Sequence, residues 1–472
     1  MSWETVIGLE VHVQLLTRSK MFCGCSTAFG DPPNTNVCPT CLGLPGALPV
    51  PNAQAIRLAT RAAVALGCAV QGRSVFARKN YFYPDLPKGY QISQFDQPLA
   101  VHGEVEFESA ERGRIRCGIT RLHVEEDAGK LLHDRFPGKT AVDLNRAGTP
   151  LAEIVSEPDL RSPAEARAYL TILKQVLVYA EVSDCNMEQG SLRVDANISI
   201  RRPGATTLGT KCEVKNLNSF ANVERALAAE RDRQVGLLES GQRLEQSTLL
   251  FNAGTGQVRL LRSKEESHDY RYFPDPDLPP LVLSRAWIEE QQAALPELPD
   301  AKRERLAAQY GVALDAAVEL ARERAIADYF EAVVAAGAEP HAAANWIRGD
   351  VLTGYNATGR FAVPPGRLAE LIELVARKVV SHQAAKRIYP ELATDGSARA
   401  VAERLGLVQV SDTDALAGWV DEVLTAFPKE VERYRAGEAK LIGFFVGQVM
   451  KRSQGKADPK GVQPVLTEKL KA

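Results

Sequence analysis

No stretch of the sequence approaches 18 uncharged apolar residues, which leaves nothing long enough to cross a bilayer as a helix. The N-terminus also lacks a basic region followed by an apolar run, so no export signal is expected and the protein is expected in the cytoplasm. An excess of one charge sign is missing too. Lys and Arg total 57 and Asp and Glu 59, a net charge of -2 that argues against a generic polyanion binder but permits a local basic patch. No Gly-x-x-x-x-Gly-Lys-Ser/Thr loop occurs, which disfavours a P-loop ATPase. Neither a Gly-x-Ser-x-Gly elbow nor a Ser-rich amidase stretch supplies an acyl-transfer nucleophile. Long heptad arrays and internal repeats are absent as well. Histidine is scarce, with seven residues, and only His12 is read as lying among acids, so a multi-histidine catalytic zinc set is not expected.

What is present is organised around Thr5 to Leu15, TVIGLEVHVQL. Ile7, Leu9, Val11, Val13 and Leu15 alternate with Glu10, His12 and Gln14, the pattern of a half-buried β-strand. Two residues apart on one strand face, a carboxylate and an imidazole stand about 7 Å apart at their backbones, within reach of one divalent ion. GSLRVDANISIRR repeats the pattern, with Leu192, Val194, Ala196, Ile198 and Ile200 opposite Arg193, Asp195, Asn197 and Ser199. Lys211, Glu213 and Lys215 likewise alternate with Cys212 and Val214, while Glu125 and Glu153 sit in apolar or strand-like runs. One antiparallel sheet is expected, its polar face gathering acids, one histidine and several cations. A single charged strand face is ordinarily just solvated. Recurrence over several strands, with Arg78, Lys79, Lys88, Arg193 and Lys215 among the acids, is what a Mg-nucleotide site needs.

Of eight cysteines, Cys23 and Cys25 form Cys-x-Cys and Cys38 and Cys41 form Cys-x-x-Cys, twelve residues further on. Two such pairs can close a tetrahedral zinc site, and four thiolates leave no open position for water, so the ion would be structural. Cys68, Cys117, Cys185 and Cys212 read as small buried residues.

Taken in order, the Pro/Gly-rich cysteine loop precedes a helix from Ala53 to Leu66 and then FARKNYFYPDLPKGYQISQ, where cations interleave with aromatics. That segment suits either phosphate and base contacts or an aromatic mini-core with solvated lysines. Ser162-Pro163-Ala164-Glu165 is a capping box opening a helix to about Tyr179, and a second helix is expected from about Asn222 to Leu238. The proline-rich HDYRYFPDPDLPPL reads as a closing loop, placing the end of a first domain near residue 292. Alanine-rich amphipathic helices then fill 293–406, and a break at Leu407 to Thr413 opens a last helical module, 407–472. From Lys429 onward ten Lys and Arg face five Asp and Glu, a basic tail on an acidic body. Gly443 and Gly447, one helical turn apart, suit close approach of another helix or of an RNA backbone.

With these segments assembled, the chain closely resembles, over essentially its full length, the B subunits of heterotrimeric tRNA-dependent amidotransferases. The resemblance rests on GLEVHVQL, SKMFCGC with VCPTCLGLPGALPVPN, ARKNYFYPDLPKGYQISQ, RLHVEEDAGK, DLNRAGTPLAEIVSEPDLRSP, GSLRVDANIS, KNLNSF and DYRYFPDPDLPP. It implies an α+β cradle with an antiparallel sheet and flanking helices, followed by an all-α helical domain and a small helical, tRNA-binding tail. It implies that ATP phosphorylates the side-chain carboxylate of Glu-tRNA(Gln) or Asp-tRNA(Asn) and that ammonia displaces the phosphate. A glutaminase of the amidase family would supply the ammonia, beside a small third protein of the trimer, in keeping with the missing amidase motif here. Carried over, the Mg2+ ligands are Glu10, His12, Glu125 and Glu153, with Asp195 and Glu213 as further candidates. The four cysteines match the zinc site of many members.

A zinc-stabilised, non-catalytic tRNA-binding scaffold is the alternative that the tail and the cysteines also fit. Carboxylates crowded on one face speak against it, because they would repel RNA phosphates.

Overall fold

The computed structural model describes residues 2–263, 269–394, 396–408, 413–453, 457 and 459–471. They fall into two compact units, Met1–Leu298 and Pro299–Ala472.

Among the described residues, sixteen strands belong to the first unit. In chain order they are β1 (Glu4–Gln14), β2 (Ala69–Val70), β3 (Arg73–Ser74), β4 (Ala77–Asn80), β5 (Tyr90–Ser93), β6 (Ala100–Ser109), β7 (Gly113–Glu126) and β8 (Lys130–Phe136), then β9 (Lys139–Asp143), β10 (Pro150–Ser156), β11 (Leu192–Arg201), β12 (Cys212–Leu217), β13 (Ser247–Asn252), β14 (Gln257–Ser263), β15 (Phe273–Pro274) and β16 (Leu281–Val282). Nine of them make one sheet in the order β14-β13-β12-β11-β1-β10-β7-β6-β2, with β1 in the middle. The alternation in β1 explains that place. Its odd-numbered side chains, Ile7 to Val13, are fully buried in the main core, while Glu10, His12 and Gln14 remain partly accessible on the other face.

Three helices lie on the apolar side: α1 (Ala53–Ala65), α2 (Pro163–Tyr179) and α3 (Phe220–Glu239). Ile56, Ala59, Leu170, Leu173, Val223 and Leu227 join the strand residues in that core. The α2 start follows from its sequence. Ser162 Oγ accepts the Glu165 N–H, Pro163 occupies the first turn, and the Glu165 carboxylate accepts the Arg161 N–H, one residue before the cap itself.

The fold is α+β with a helical C-terminal region, and the sheet departs from the expectation at one pair: β12 and β13 run parallel. The cause is α3, a 20-residue crossover between them, since parallel neighbours require such a connection whereas a hairpin gives antiparallel ones.

Among its described residues the second unit contains no strand. Its helices carry two separate apolar clusters, one from Leu306 to Leu407 and one from Leu416 to Leu470. Within the latter lies Leu441–Arg452, whose Gly443 and Gly447 are exposed, and a Cβ on either would meet nothing within 4 Å. No helix among the described residues is long and apolar enough to cross a membrane.

Candidate active site

Register, more than proximity in sequence, assembles the polar face. Along one line across four strands, Arg193 of β11 pairs with His12 of β1, His12 with Glu153 of β10, and Glu153 with His123 of β7. One step along, Glu10 pairs with Asp195. Because side chains repeat every two residues, all of these project from the same side of the sheet.

At the tips, His12 Nε2 lies 3.3 Å from Glu153 Oε2, 3.5 Å from Glu125 Oε1 and 3.7 Å from Glu10 Oε1. Glu10, His12, Glu125 and Glu153, expected to share a site, are therefore brought together. The expectation that His12 is the one histidine among acids is overturned, since His123 Nε2 lies 3.3 Å from Glu153 Oε2 and 3.7 Å from Glu125 Oε2. Parity in RLHVEEDAGK puts His123 on the face of Glu125, the signal in the sequence that could have found it.

The electrostatics are those of buried acids held ionised by nearby cations. Burial opposes the charge of His123, but Glu153 and Glu125 outweigh it and raise its pKa to about 9. His12 is raised in the same way against its own burial. Burial would push Glu125 and Glu153 upward, yet the two imidazoles hold both below the usual range, Glu153 well below it. Glu10 goes the other way: burial, then the charge of Glu153, raises it.

The expected cations divide by partner. Arg193 donates to Asp127 at 2.8 Å, and Asp127 also accepts from Gln14 at 3.0 Å. Lys215 is paired with Asp195 and, at 3.0 Å, with Glu213, which places these two acids beside the main cluster rather than in it. Lys88 is bonded to Glu126, and Arg78 is clamped by Asp275 and Asp277, both at 2.8 Å, while stacking on Tyr90. Lys79 has no ion pair among the described residues. Its ammonium lies 4.8 Å from the Tyr270 ring centre, and although burial lowers its pKa, Glu125 and Tyr272 raise it beyond the usual range. Asp127, Glu126 and Asp275, which the sequence did not single out, are thus the partners that orient three of the five cations. The aromatics of this segment divide: Phe82 is 93% exposed and Tyr83 mostly open, while Phe76 is buried, Tyr90 packs against the core and Tyr81 meets Tyr270 edge to face at 5.9 Å.

Cys23, Cys25, Cys38 and Cys41 converge so that their sulfurs lie within 4.8 Å of one another. Cys38 and Cys41 are 3.9 Å apart at Sγ, close to the ~3.8 Å edge of a tetrahedron of sulfurs ~2.3 Å from zinc. Among the four, the thiol of Cys23 holds Cys41 down at about 4, and burial lifts Cys25 to about 11. The Lys20 ammonium, wholly buried, stands 3.7 Å from the Cys41 sulfur, a cation where thiolate charge collects. The loop folds tightly enough that a Cβ on Gly43, at φ +67°, would come within 2.9 Å of Lys88 Cα. This cluster can hold a metal such as zinc. The other four cysteines are buried.

Two family models match the chain: a GatB/GatE catalytic domain over residues 5–289 and a GatB domain over residues 328–470. Among similar proteins, those of Geotalea uraniireducens and Moorella thermoacetica are each 52% identical over 478 residues, covering all of both chains. That of Thermosynechococcus vestitus is 51% identical over 485 residues, covering all of this chain and 97% of its own. All three are named as the B subunit of an aspartyl/glutamyl-tRNA(Asn/Gln) amidotransferase.

Proposed function

The chain belongs to the GatB/GatE family of amidotransferase B subunits, and on that footing we propose that it activates the side-chain carboxylate of Glu-tRNA(Gln), Asp-tRNA(Asn) or both, and amidates it with ammonia. A carboxylate oxygen attacks the γ-phosphorus of ATP and ADP leaves. Ammonia then attacks the acyl carbon of the resulting acyl phosphate, and inorganic phosphate departs as the amide forms. The observation that carries this reading is the convergence of Glu10, His12, Glu125 and Glu153 within ion-pair distance on one sheet face, near a lysine with no ion pair among the described residues.

Those four residues would hold Mg2+, with Asp195 and Glu213 next to them, and the ion when bound supplies charge neutralisation for phosphoryl transfer. The ligand set, oxygen-rich with imidazole, fits such an ion. Lys79 meets the phosphates, because no carboxylate has to release it first. Arg193, Lys215, Arg78 and Lys88 line the same nucleotide path, each aimed by its acid. Zn2+ in the four-cysteine cluster is structural and shapes the loop against Lys88. In this reading residues 1–292 are the catalytic cradle, 293–406 a helical domain and 407–472 the tRNA-binding tail. The chain works in the cytoplasm in a heterotrimer with an amidase-family glutaminase, the source of ammonia, and a small third protein. A mere tRNA scaffold is disfavoured by the buried acids, which repel phosphate and are costly to keep.

The test is to incubate the purified chain, alone and with its partners, with ATP, ammonium and each misacylated tRNA, and to look for Gln-tRNA or Asn-tRNA. Product that requires ATP and this chain supports the reading; a partner complex that makes the same product without this chain refutes it.

A further inference from the structure

We propose that Phe95, lying flat on Tyr272 beside the acid cluster, is the shelf on which the terminal adenine of the misacylated tRNA stacks. The proposal rests on the reading of this sheet face as the place where the aminoacyl carboxylate is activated, and adds where the nucleoside that carries the amino acid lies.

The two rings are nearly parallel, with 9° between their planes and 4.2 Å between their centres. Phe95 nevertheless keeps 56% of its surface open. One face of the ring is therefore fixed on its neighbour while the ring still presents apolar surface to solvent. A rigid, open π-face is what an unpaired base needs, because single-stranded ends of RNA are held largely by stacking on aromatic side chains.

The turn that carries Tyr272 is strained and pinned. Arg271 sits at φ +45°, a backbone conformation that side chains disfavour. Asn80 of β4 holds it there: its Nδ2 donates to the Arg271 carbonyl at 2.9 Å, and its backbone N–H donates to the Tyr270 carbonyl at 3.0 Å. Asp269 accepts the Arg271 N–H at 3.2 Å. Tyr270 then meets Tyr272 edge to face at 6.1 Å, so one ring braces the other. Strain of this kind persists where a fixed geometry is used, and here it fixes the ring under Phe95.

The pair also lies beside the chemistry. Ser93, two residues before Phe95, donates to Glu125 at 3.2 Å. At Tyr272 burial raises the pKa of the hydroxyl and Lys79 lowers it, while Glu125 and Glu153 raise it, so this side chain lies in the field of the catalytic acids. Its character suits an aminoacylated adenosine better than ATP. In the former only a ribose and an ester, both uncharged, separate the base from the amino acid; in the latter three phosphates follow the base. The cation–ring contacts of this region fall on Tyr90, Phe273, Tyr81 and Tyr270, and among the described residues neither Phe95 nor Tyr272 has one. Asp96, exposed and next to Phe95, would repel a phosphate chain. The shelf offers a base its surface and offers phosphate no counter-charge.

The experiment is steady-state amide formation from ammonium by the complete complex, varying misacylated tRNA and ATP in turn, for the parent and for Phe95→Ala, Phe95→Leu and Phe95→Tyr. Phe95→Ala should lower kcat/KM for the tRNA about tenfold, within the range that one base–ring stack supplies, and leave KM for ATP within about twofold. Phe95→Leu, apolar but without a ring, should behave like Phe95→Ala, and Phe95→Tyr like the parent. A second measurement needs no variant. 3′-Amino-3′-deoxyadenosine carrying the same amino acid in amide linkage should inhibit the parent about tenfold more tightly than the same compound lacking its base. The inference is overturned if Phe95→Ala keeps parental kinetics, if Phe95→Leu matches the parent, or if Phe95→Tyr is as poor as Phe95→Ala. It is overturned equally if the loss falls on KM for ATP, which would make the stacked base that of ATP, or if the two analogues inhibit alike. Any of these results, in a complex whose parent forms amide, leaves the proposed function standing. A parental complex that forms no amide sinks the function instead.

Discussion

His12 of β1 and Glu153 of β10 are cross-strand partners, and their tips stand 3.3 Å apart although 141 positions separate them in the chain. The pairing is a consequence of packing. Val11 and Val13 on one strand and Ala152 and Ile154 on the other are buried on the opposite face, and a slip of one residue would turn all four into solvent and the acids into the core. Site geometry is thereby tied to the hydrophobic core.

The two adjacent cations Arg78 and Lys79 should separate stability from substrate binding. Arg78 neutralises Asp275, whose side chain is wholly buried, so Arg78→Gln strands a carboxylate and should cost roughly 3 kcal/mol in urea unfolding. Lys79 has no ion pair among the described residues, so Lys79→Gln should leave the unfolding midpoint nearly unchanged while raising KM for ATP at least tenfold. Equal effects of both variants on stability would contradict this division.

Cys41→Ser should empty the four-cysteine cluster, because it removes the sulfur on which thiolate charge collects. Elemental analysis of freshly purified parental protein should find about one zinc per chain, and of the variant far less. Parental protein free of zinc would count directly against a structural zinc.

In the tail, Lys440 and Lys451 have no ion pair among the described residues and flank the exposed Gly443 and Gly447 on their helix. Reversing both to Glu should weaken tRNA binding and flatten the slope of affinity against salt by about two, one per lost phosphate contact. Removing residues after Leu407 should do so more strongly. Affinity that is unchanged across a salt series would place the tRNA contacts elsewhere.

Glu331 of the second unit accepts from Lys302 and Arg305, and although burial pushes the other way these partners hold its pKa at about 2, below the ordinary 4.5. A depressed carboxylate stabilises the fold above its unfolded pKa and loses that contribution as pH falls toward its folded one. Glu331→Gln should therefore cost about 1–2 kcal/mol at pH 7 and almost nothing near pH 2, read from thermal unfolding at both values. A cost that does not vary with pH would show that packing, not charge, is what was lost.

Much of this was legible in the sequence, and for identifiable reasons. Strict alternation fixed the two faces of β1 and β11, and Ser162, Pro163 and Glu165 located the start of α2 to the residue. The α3 helix was expected from about Asn222 and begins at Phe220, since Ser219 caps it by accepting the Asn222 N–H. What escaped depends on which strands become neighbours. The parallel β12–β13 pair, the opposition of His123 to Glu153, and the Asp127 and Asp275 clamps on Arg193 and Arg78 are all long-range pairings that local periodicity does not encode.

The central claim is that the polar face shared by β1, β10 and β7 activates the carboxylate. His12→Ala on β1 and Glu125→Gln on β7 each remove a group from that face and leave the buried side of their strands untouched. In the complete complex, supplied with ATP, misacylated tRNA and free ammonium so that the glutaminase step is bypassed, both variants should bind tRNA as the parent does. They should form amide at least a hundredfold more slowly. If either made Gln-tRNA or Asn-tRNA from ammonium at the parental rate, this face would not be the active site.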